Sequence, residues 1–514
     1  MNLKKILSKY WLLLVLIIFL FLKVPCLFEP FTYGDEGIYL SLGQASQKGL
    51  TWYQDIHDNK PPMLYLVAAL AGNFTTYRSI HFGWSLITIL AFWQLAKLIF
   101  PKNKPAIGFS TLAFTLLTSL HSLEGNVGNA ENFMLLLIIA AFHFVYEQLP
   151  KKHKKGENLN KSPAIYYTAG TFLGLATLFK IPAGFDFAAI LCLLLVFPKK
   201  LNRQSWLNIL TSGLYLTTGF LSPILLSFAF YGLKHALPEY IYAAFSQNIP
   251  YLSSWAQSKP QAGGLPIPMI SRGLMVLLTI LGVSIFRKKI PSAVKLILIW
   301  FAFSWFAVLL SSRPYPHYLL QLVPAFSLSI GLIFPLPKIL NKNHLKNIPK
   351  KIFVPLFLAL VFQLTFSVFH FWKYPNLDYY LNFYQLVLGQ KNKEEYFKEF
   401  DSKAKYLYQA ADYIRKRTRP SEKIFIWGTE PSIYPLSQRL PLGRYTTSYH
   451  IIDFNGYEET MILFQESPPP YLIVSQDEKR PFPKLFHFIQ TYYSPPREIG
   501  HLRIYRLNST NDKI

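Results

Sequence analysis

The chain is predicted to be a polytopic α-helical membrane protein with a small extracytoplasmic α/β domain at its C-terminal end. Three observations predict this. Of 514 residues, 51% are hydrophobic and 17% aromatic, more than a soluble domain of this size needs. Several apolar stretches approach or exceed the roughly eighteen residues that span a bilayer, including one beginning at Trp11 and others over 77–100, 206–230 and 352–372. From about residue 373 the composition becomes ordinary, and strand-like stretches alternate with helix-like ones.

The apolar segments place spans at 10–28, 77–100, 105–120, 131–149, 163–180, 182–197, 206–231, 267–286, 293–311, 317–335 and 352–372, about eleven in all. An odd number puts the N-terminus in the cytoplasm and the C-terminus outside. The division at Lys180-Ile181-Pro182 matters, because merging the two spans around it would reverse everything downstream.

The formal charge of +25 could suggest a nucleic-acid partner, but its distribution excludes that reading. Roughly 23 Lys and Arg fall in six alternate short segments, 1–10, 97–105, 150–162, 198–205, 287–295 and 336–351, which hold one acidic residue, Glu157. This is the positive-inside pattern of cytoplasmic loops. The tail from 373 onward is nearly balanced, about 20 basic against 16 acidic. The basic excess therefore reports topology and attraction to anionic lipid. A plasma-membrane, multi-pass location follows, with no nucleic acid.

The two cysteines, Cys26 and Cys192, lie in apolar segments, without CxxC or a disulfide framework. The first apolar run lacks a small-residue cleavage site and reads as an uncleaved helix.

The domains divide at 1–372, a membrane domain with the long outer loop 29–76, and 373–514, the outer α/β domain. In the latter, EKIFIWG (422–428), YLIVS (471–475) and HLRIYRL (501–507) read as strands, and PSIYPLSQR (431–439) and FPKLFHFIQTYY (482–493) as helices. No Gly-rich phosphate loop accompanies them.

The outer loop carries the chemistry. FTYGDEGIYL (31–40) places Asp35 and Glu36 at the start of a segment with apolar Ile38, Leu42 and Ala45. That spacing suits an amphipathic helix lying on the membrane, with Asp35 at or near its N-cap. The plainer reading is two acids stabilising a helix dipole. Further on, GLTWYQDIHDNKPPMLYL (49–66) adds Asp55, His57, Asp58 and Lys60 before Pro61-Pro62.

An acidic pair just after the first helix, followed some twenty-five residues later by a Lys-Pro-Pro with nearby Asp, resembles the GT-C glycosyltransferases. More narrowly it resembles the bacterial branch of the protein O-mannosyltransferase family, which includes the lipid A aminoarabinose transferase. The resemblance covers the membrane half; the tail matches only in layout. It implies a GT-C fold, a polyprenyl-phosphate sugar donor, and an active site on the outer face. It also implies that the first acid of the pair, Asp35, is the catalytic base, with Glu36 supporting the site. A positioned carboxylate can take the proton of an attacking hydroxyl. Lys60 matches the family's Lys before the prolines and suits the donor phosphate as a point charge; snorkelling to headgroups is the alternative.

Other positions join on the same resemblance. Glu131, in Ala130-Glu131-Asn132-Phe133, matches acids that recur there, with a role toward acceptor or sugar, beside the plainer role of a helix N-terminal acid. Lys180 resembles a position near the donor phosphate, and Asp186 is expected to serve it or to pair with Lys180. Arg313-Pro314-Tyr315-Pro316-His317-Tyr318 matches a recurring R-x-Y-x-H-Y, with Arg313 and His317 toward phosphate and Tyr315 toward the sugar. An interfacial aromatic belt anchored by Arg is the alternative. Tyr242, Tyr251 and Trp255 could stack on a sugar. His57 with Asp55 and Asp58 is a weak metal set, and no essential metal or other cofactor is expected.

The reading is a membrane glycosyltransferase moving a sugar from the lipid-linked donor to a hydroxyl of a lipid, glycan or protein acceptor. The alternative is a transporter or flippase of lipid-linked sugars. A transporter would be expected to show internal repeats and mid-membrane charges, which the sequence lacks.

Overall fold

A computed structural model describes residues 3–149, 162–198, 201–249, 269–311, 313–334 and 348–508. Tyr251, Trp255 and most of the basic segments 150–162 and 336–351 lie outside them. The chain is predominantly helical and divides into two compact units. The first comprises residues 1–24, 81–229 and 248–376; the second comprises 25–80, 230–247 and 377–514. The outer loop thus belongs with the C-terminal segment.

Every predicted span overlaps a helix. Among the described residues four are long and apolar enough to cross a membrane, Tyr10–Leu27, Phe74–Ile99, Ala130–Gln148 and Arg203–Leu233. Shorter apolar helices are Ile181–Val196, Met269–Ile285, Ser292–Val308 and Phe353–Val368. The division at Lys180 is real: Pro163–Thr177 ends before a 3-10 turn, Ile181–Ala183, and Gly184–Val196 follows. Proline at 182 removes a donor and starts the new helix.

In the first unit, small residues bring helices close, as expected where lipid gives no hydrophobic drive between them. A Cβ on Gly170 would lie 2.0 Å from the Leu216 carbonyl oxygen, and one on Gly219 would lie 2.1 Å from that of Tyr167. Phe142 stacks on the fully buried Trp300 at 3.7 Å. Leu210, Leu214, Leu225, Leu226 and Ile270 stay exposed, an outward apolar surface suited to lipid.

In the second unit the former loop folds into two helices, Gly34–Gln47 and Met63–Ala71. The expectation of a helix lying on the membrane is corrected here. Residues Glu36 through Ala45 are all buried, because Met63–Ala71 and the short helix Ile433–Ser437 pack against this helix. Gly43 permits the first contact, since its Cβ would meet the Ala68 carbonyl carbon at 2.6 Å; Gly37 permits the second.

The C-terminal segment adds a four-stranded sheet, β1 (Phe425–Trp427), β2 (Tyr471–Ser475), β3 (Arg497–Ile499) and β4 (Leu502–Arg506), in the order β1-β2-β4-β3. β1 and β2 are parallel and the other pairs antiparallel. β1, β2 and β4 match the predicted strands. β3, an edge strand with Arg497 and Glu498 exposed, offers no apolar pattern to read.

Candidate active site

The site residues expected from sequence fall into two groups, one in each unit. In the second unit are Asp35, Glu36, Asp58 and Lys60. Helix Gly34–Gln47 begins after Tyr33, which makes no side-chain cap, and Asp35 sits in its first turn. Tyr39, one turn on, donates its hydroxyl to Asp35 Oδ2 at 2.9 Å. Lys60 Nζ lies 3.6 Å from Asp35 Oδ2 and 3.8 Å from Asp58 Oδ2, and 4.9 Å above the Tyr39 ring. Tyr65 donates to Asp58 Oδ2 at 2.9 Å and accepts from the Lys60 N–H at 2.9 Å. Tyr53 donates to the Lys60 carbonyl at 2.9 Å. The Lys-Pro-Pro turn is thereby fixed through its backbone, and the ammonium points between two carboxylates.

Exposure separates the members. The Asp35 side chain is 36% exposed and Asp58 only 2%. Asp35 is thus the more solvent-exposed of the two carboxylates.

Glu36 points into the protein. Its Oε2 accepts from Arg78 Nε at 3.0 Å and Nη2 at 2.8 Å, and both side chains are buried. Arg78 also donates to the carbonyls of Glu29 at 2.7 Å and Pro30 at 3.2 Å. Such a pair locks the chain that enters the helix and so fixes where Asp35 stands.

The C-terminal segment supplies neighbours that sequence reasoning missed. His450 Nε2 is 3.8 Å from Asp58 Oδ1. His57 packs its ring on Phe454 at 4.3 Å and near His450 at 6.0 Å, and its backbone N–H donates to the Arg444 carbonyl at 2.8 Å. Burial pushes the His450 imidazole down to about 4 against the attraction of Asp58. Burial, then His450, pushes His57 down to about 3. Burial and then the carboxylates of Asp35 and Asp58 hold the Tyr449 phenol well above its ordinary range, so it stays a hydrogen-bond donor. Arg78 carried a readable signal, a charge inside an apolar helix; Tyr449 and His450 carried none.

His57, Asp55 and Asp58, weighed in the sequence as a weak metal set, do not form a ligand cluster among the described residues. Asp55 accepts from the Thr51 N–H at 2.7 Å, and the described residues contain one carboxylate–imidazole cluster of metal-binding size, elsewhere.

In the first unit, Glu131 opens helix Ala130–Gln148 and forms an ion pair with Lys180. The Lys180 ammonium also lies 3.5 Å from the centre of the Tyr318 ring. His317 Nδ1 contacts Glu124, and its Nε2 lies 4.0 Å from Glu131 Oε1. Tyr315 stacks on His317 at 5.7 Å. Glu124 owes its position to a left-handed backbone, φ 53°, ending the turn His121–Leu123. Arg313 precedes this group on the same connection, partly buried. Asp186 does not pair with Lys180: it accepts from Trp300 at 2.7 Å, Gln321 at 2.7 Å and Ser304 at 3.3 Å. Three neutral donors from neighbouring segments satisfy it, while Glu131 is the carboxylate that Lys180 meets.

The fold is a polytopic helical bundle with a small C-terminal sheet. It is similar to the crystal structures of ArnT from Cupriavidus metallidurans. With undecaprenyl phosphate bound, ArnT superposes with a TM-score of 0.59 at 14% identity, covering 97% of this chain and 98% of that one. Its apo state gives 0.56 at 13%, covering 98% and 99%. The apo Archaeoglobus fulgidus oligosaccharyltransferase gives 0.49 at 13%, covering 98% and 75%. The family model described as dolichyl-phosphate-mannose-protein mannosyltransferase matches residues 59–227, about a third of the chain. A comparison with curated proteins found no match. The chain therefore resembles the aminoarabinose-transferase and protein O-mannosyltransferase families, as its loop motifs imply.

Proposed function

We propose that the chain is an integral membrane glycosyltransferase that moves a sugar from a polyprenyl-phosphate donor to an acceptor hydroxyl on the outer face of the plasma membrane. One observation carries this reading. The Asp35 carboxylate is open to substrate, yet stands on a buried helix, held by the Tyr39 hydroxyl at 2.9 Å and faced by Lys60 at 3.6 Å. A general base needs that combination of access and fixed direction.

The reaction is a single displacement. Asp35 takes the proton of the acceptor hydroxyl as its oxygen attacks the anomeric carbon. The bond from that carbon to the phosphate oxygen breaks, and polyprenyl phosphate leaves as an anion. Lys60 is the fixed cation assigned to that anion, with Lys180, Arg313 and His317 assigned to the donor phosphate by the resemblance. Glu131 orients Lys180 through their ion pair and, with Asp58 and Tyr315, is assigned to sugar or acceptor. Glu36 acts through Arg78 as a positioning residue. Tyr449 and His450 line the Asp35–Asp58 group, so the C-terminal segment contributes to the site. The spans of residues 1–372 cross the membrane with the N-terminus cytoplasmic, and 373–514 stands outside, folded with the loop 29–76.

ArnT is seen with undecaprenyl phosphate, and a carrier of that class is the first donor to test. Purified protein is incubated with labelled polyprenyl-phosphate sugars and candidate acceptors, and released polyprenyl phosphate is measured. Release coupled to acceptor glycosylation supports the reading. Movement of intact donor across a vesicle bilayer without release would favour the transporter instead.

A further inference from the structure

The sheet end of the second unit carries a cluster that the proposed reaction does not use. Glu430 follows β1 and Asp477 follows β2, and these strands run parallel, so both loops leave at one end of the sheet. β4 runs opposite to β2 with Leu502 beside Ser475, which brings His501, in the turn before β4, to the same end. The topology thus collects three residues that are far apart in sequence.

Their ligand atoms all lie within 4.8 Å of one another. His501 Nε2 and Glu430 Oε1 stand 3.4 Å apart, and ligands about 2.1 Å from a tetrahedral Zn²⁺ stand roughly 3.4 Å apart. The His501 side chain is nine-tenths buried, 10% exposed, and Glu430 11%. Glu430 Oε2 is buried without a hydrogen-bond partner among the described residues, a cost unless something else satisfies it. Ser475 Oγ donates to Glu430 Oε1 at 2.6 Å and sets its direction, as an outer-shell partner does for a metal ligand. The group lines a cavity of about 200 Å³ with Asp401 and Lys403, room for water ligands. Around it are three carboxylates and one ammonium, that of Lys403, which pairs with Asp477.

We propose that Glu430, Asp477 and His501 bind a divalent transition-metal cation of the Zn²⁺ class, with water completing its coordination. One imidazole with two carboxylates suits Zn²⁺ better than Ca²⁺ or Mg²⁺, which prefer oxygen alone. Asp477 turns in from its half-exposed position, and Lys403 competes with the cation for it. Bound metal staples the loops after β1 and β2 to the β3–β4 turn and stabilises the domain by mass action. The site is independent of the glycosyltransferase reading.

The test is calorimetric titration of Zn²⁺ into the full-length, metal-stripped protein in detergent, with a parallel thermal melt. Wild type takes up one Zn²⁺ that His501→Gln and Asp477→Asn bind at least about tenfold more weakly. Asp477 is half-exposed, so Asp477→Asn keeps the fold if His501→Gln does not. Wild type melts higher with Zn²⁺, and Asp477→Asn loses that shift. Lys403→Met tightens binding about tenfold by removing the competing charge. Equal stoichiometry and affinity in wild type and both ligand variants overturns the site, as does no binding to wild type at about 1 mM Zn²⁺. Unchanged affinity in Lys403→Met overturns the competition.

Discussion

The group around Asp35 and the group around Lys180 use the same residue types to opposite effect. In the second unit Lys60 stands 3.6 and 3.8 Å from two carboxylates, beyond close hydrogen-bonding range, and Asp35 stays partly open. In the first unit Glu131 and Glu124 are buried and closely paired with Lys180 and His317. On the proposed reading the first arrangement leaves a carboxylate to take a proton, and the second orients cations toward an anion without moving one.

The sharpest way to break the comparison is to damage the support beneath Asp35 rather than Asp35 itself. Arg78→Met leaves Glu36 buried without its partner and is expected to cost about 3–5 kcal/mol of stability, read as a lowered melting temperature. The Glu36→Leu/Arg78→Met double variant should recover more than half of that. If the single variant melts like wild type, Glu36 and Arg78 do not hold the helix start.

Lys180→Met tests the first unit. It strands Glu131 and should cost roughly 1–3 kcal/mol, because the Lys180 side chain retains some solvent contact, 20%. Donor KM should rise with it. An unchanged KM would remove Lys180 from phosphate binding.

The pH dependence comes next. His57 and His450 have folded-state values near 3 and 4, below the usual imidazole value of about 6.5. Between those limits the unfolded chain binds protons that the folded one does not, so stability falls as pH drops below about 6.5. Going from pH 7 to 5 should cost about 1–2 kcal/mol per imidazole, and His57→Asn should flatten the melting-temperature profile by its share. A profile flat from pH 7 to 5 would contradict their burial as neutral rings. The smallest effect is expected at Asp55→Ala, within about 0.5 kcal/mol and without change in activity; a large loss of activity there would revive a role for Asp55.

Much of this was legible in sequence, for identifiable reasons. Apolar length located the helices, and the Lys180-Ile181-Pro182 break held because proline starts a helix but cannot continue one. YLIVS read as a strand and is β2. The spacing of Ile38, Leu42 and Ala45 marked a buried face, yet it could not say what buries it, and protein rather than lipid does so. Asp186 was expected to serve the donor site or pair with Lys180 because they are close in sequence, whereas its donors, Trp300, Ser304 and Gln321, come from segments more than a hundred positions away. Tyr449 and His450 sit in TTSYHII, which has no pattern that announces chemistry; only tertiary packing brings them to Asp58.

The central claim is that Asp35 is the base, and the most direct measurement is the single-turnover rate of polyprenyl-phosphate release at saturating donor for wild type and Asp35→Asn, with both melting temperatures. The account predicts a fall of about 10²–10⁴-fold with the melting temperature nearly unchanged, since the Asp35 side chain is 36% exposed and asparagine keeps an oxygen to accept from Tyr39. A variant that keeps the full rate would contradict the assignment.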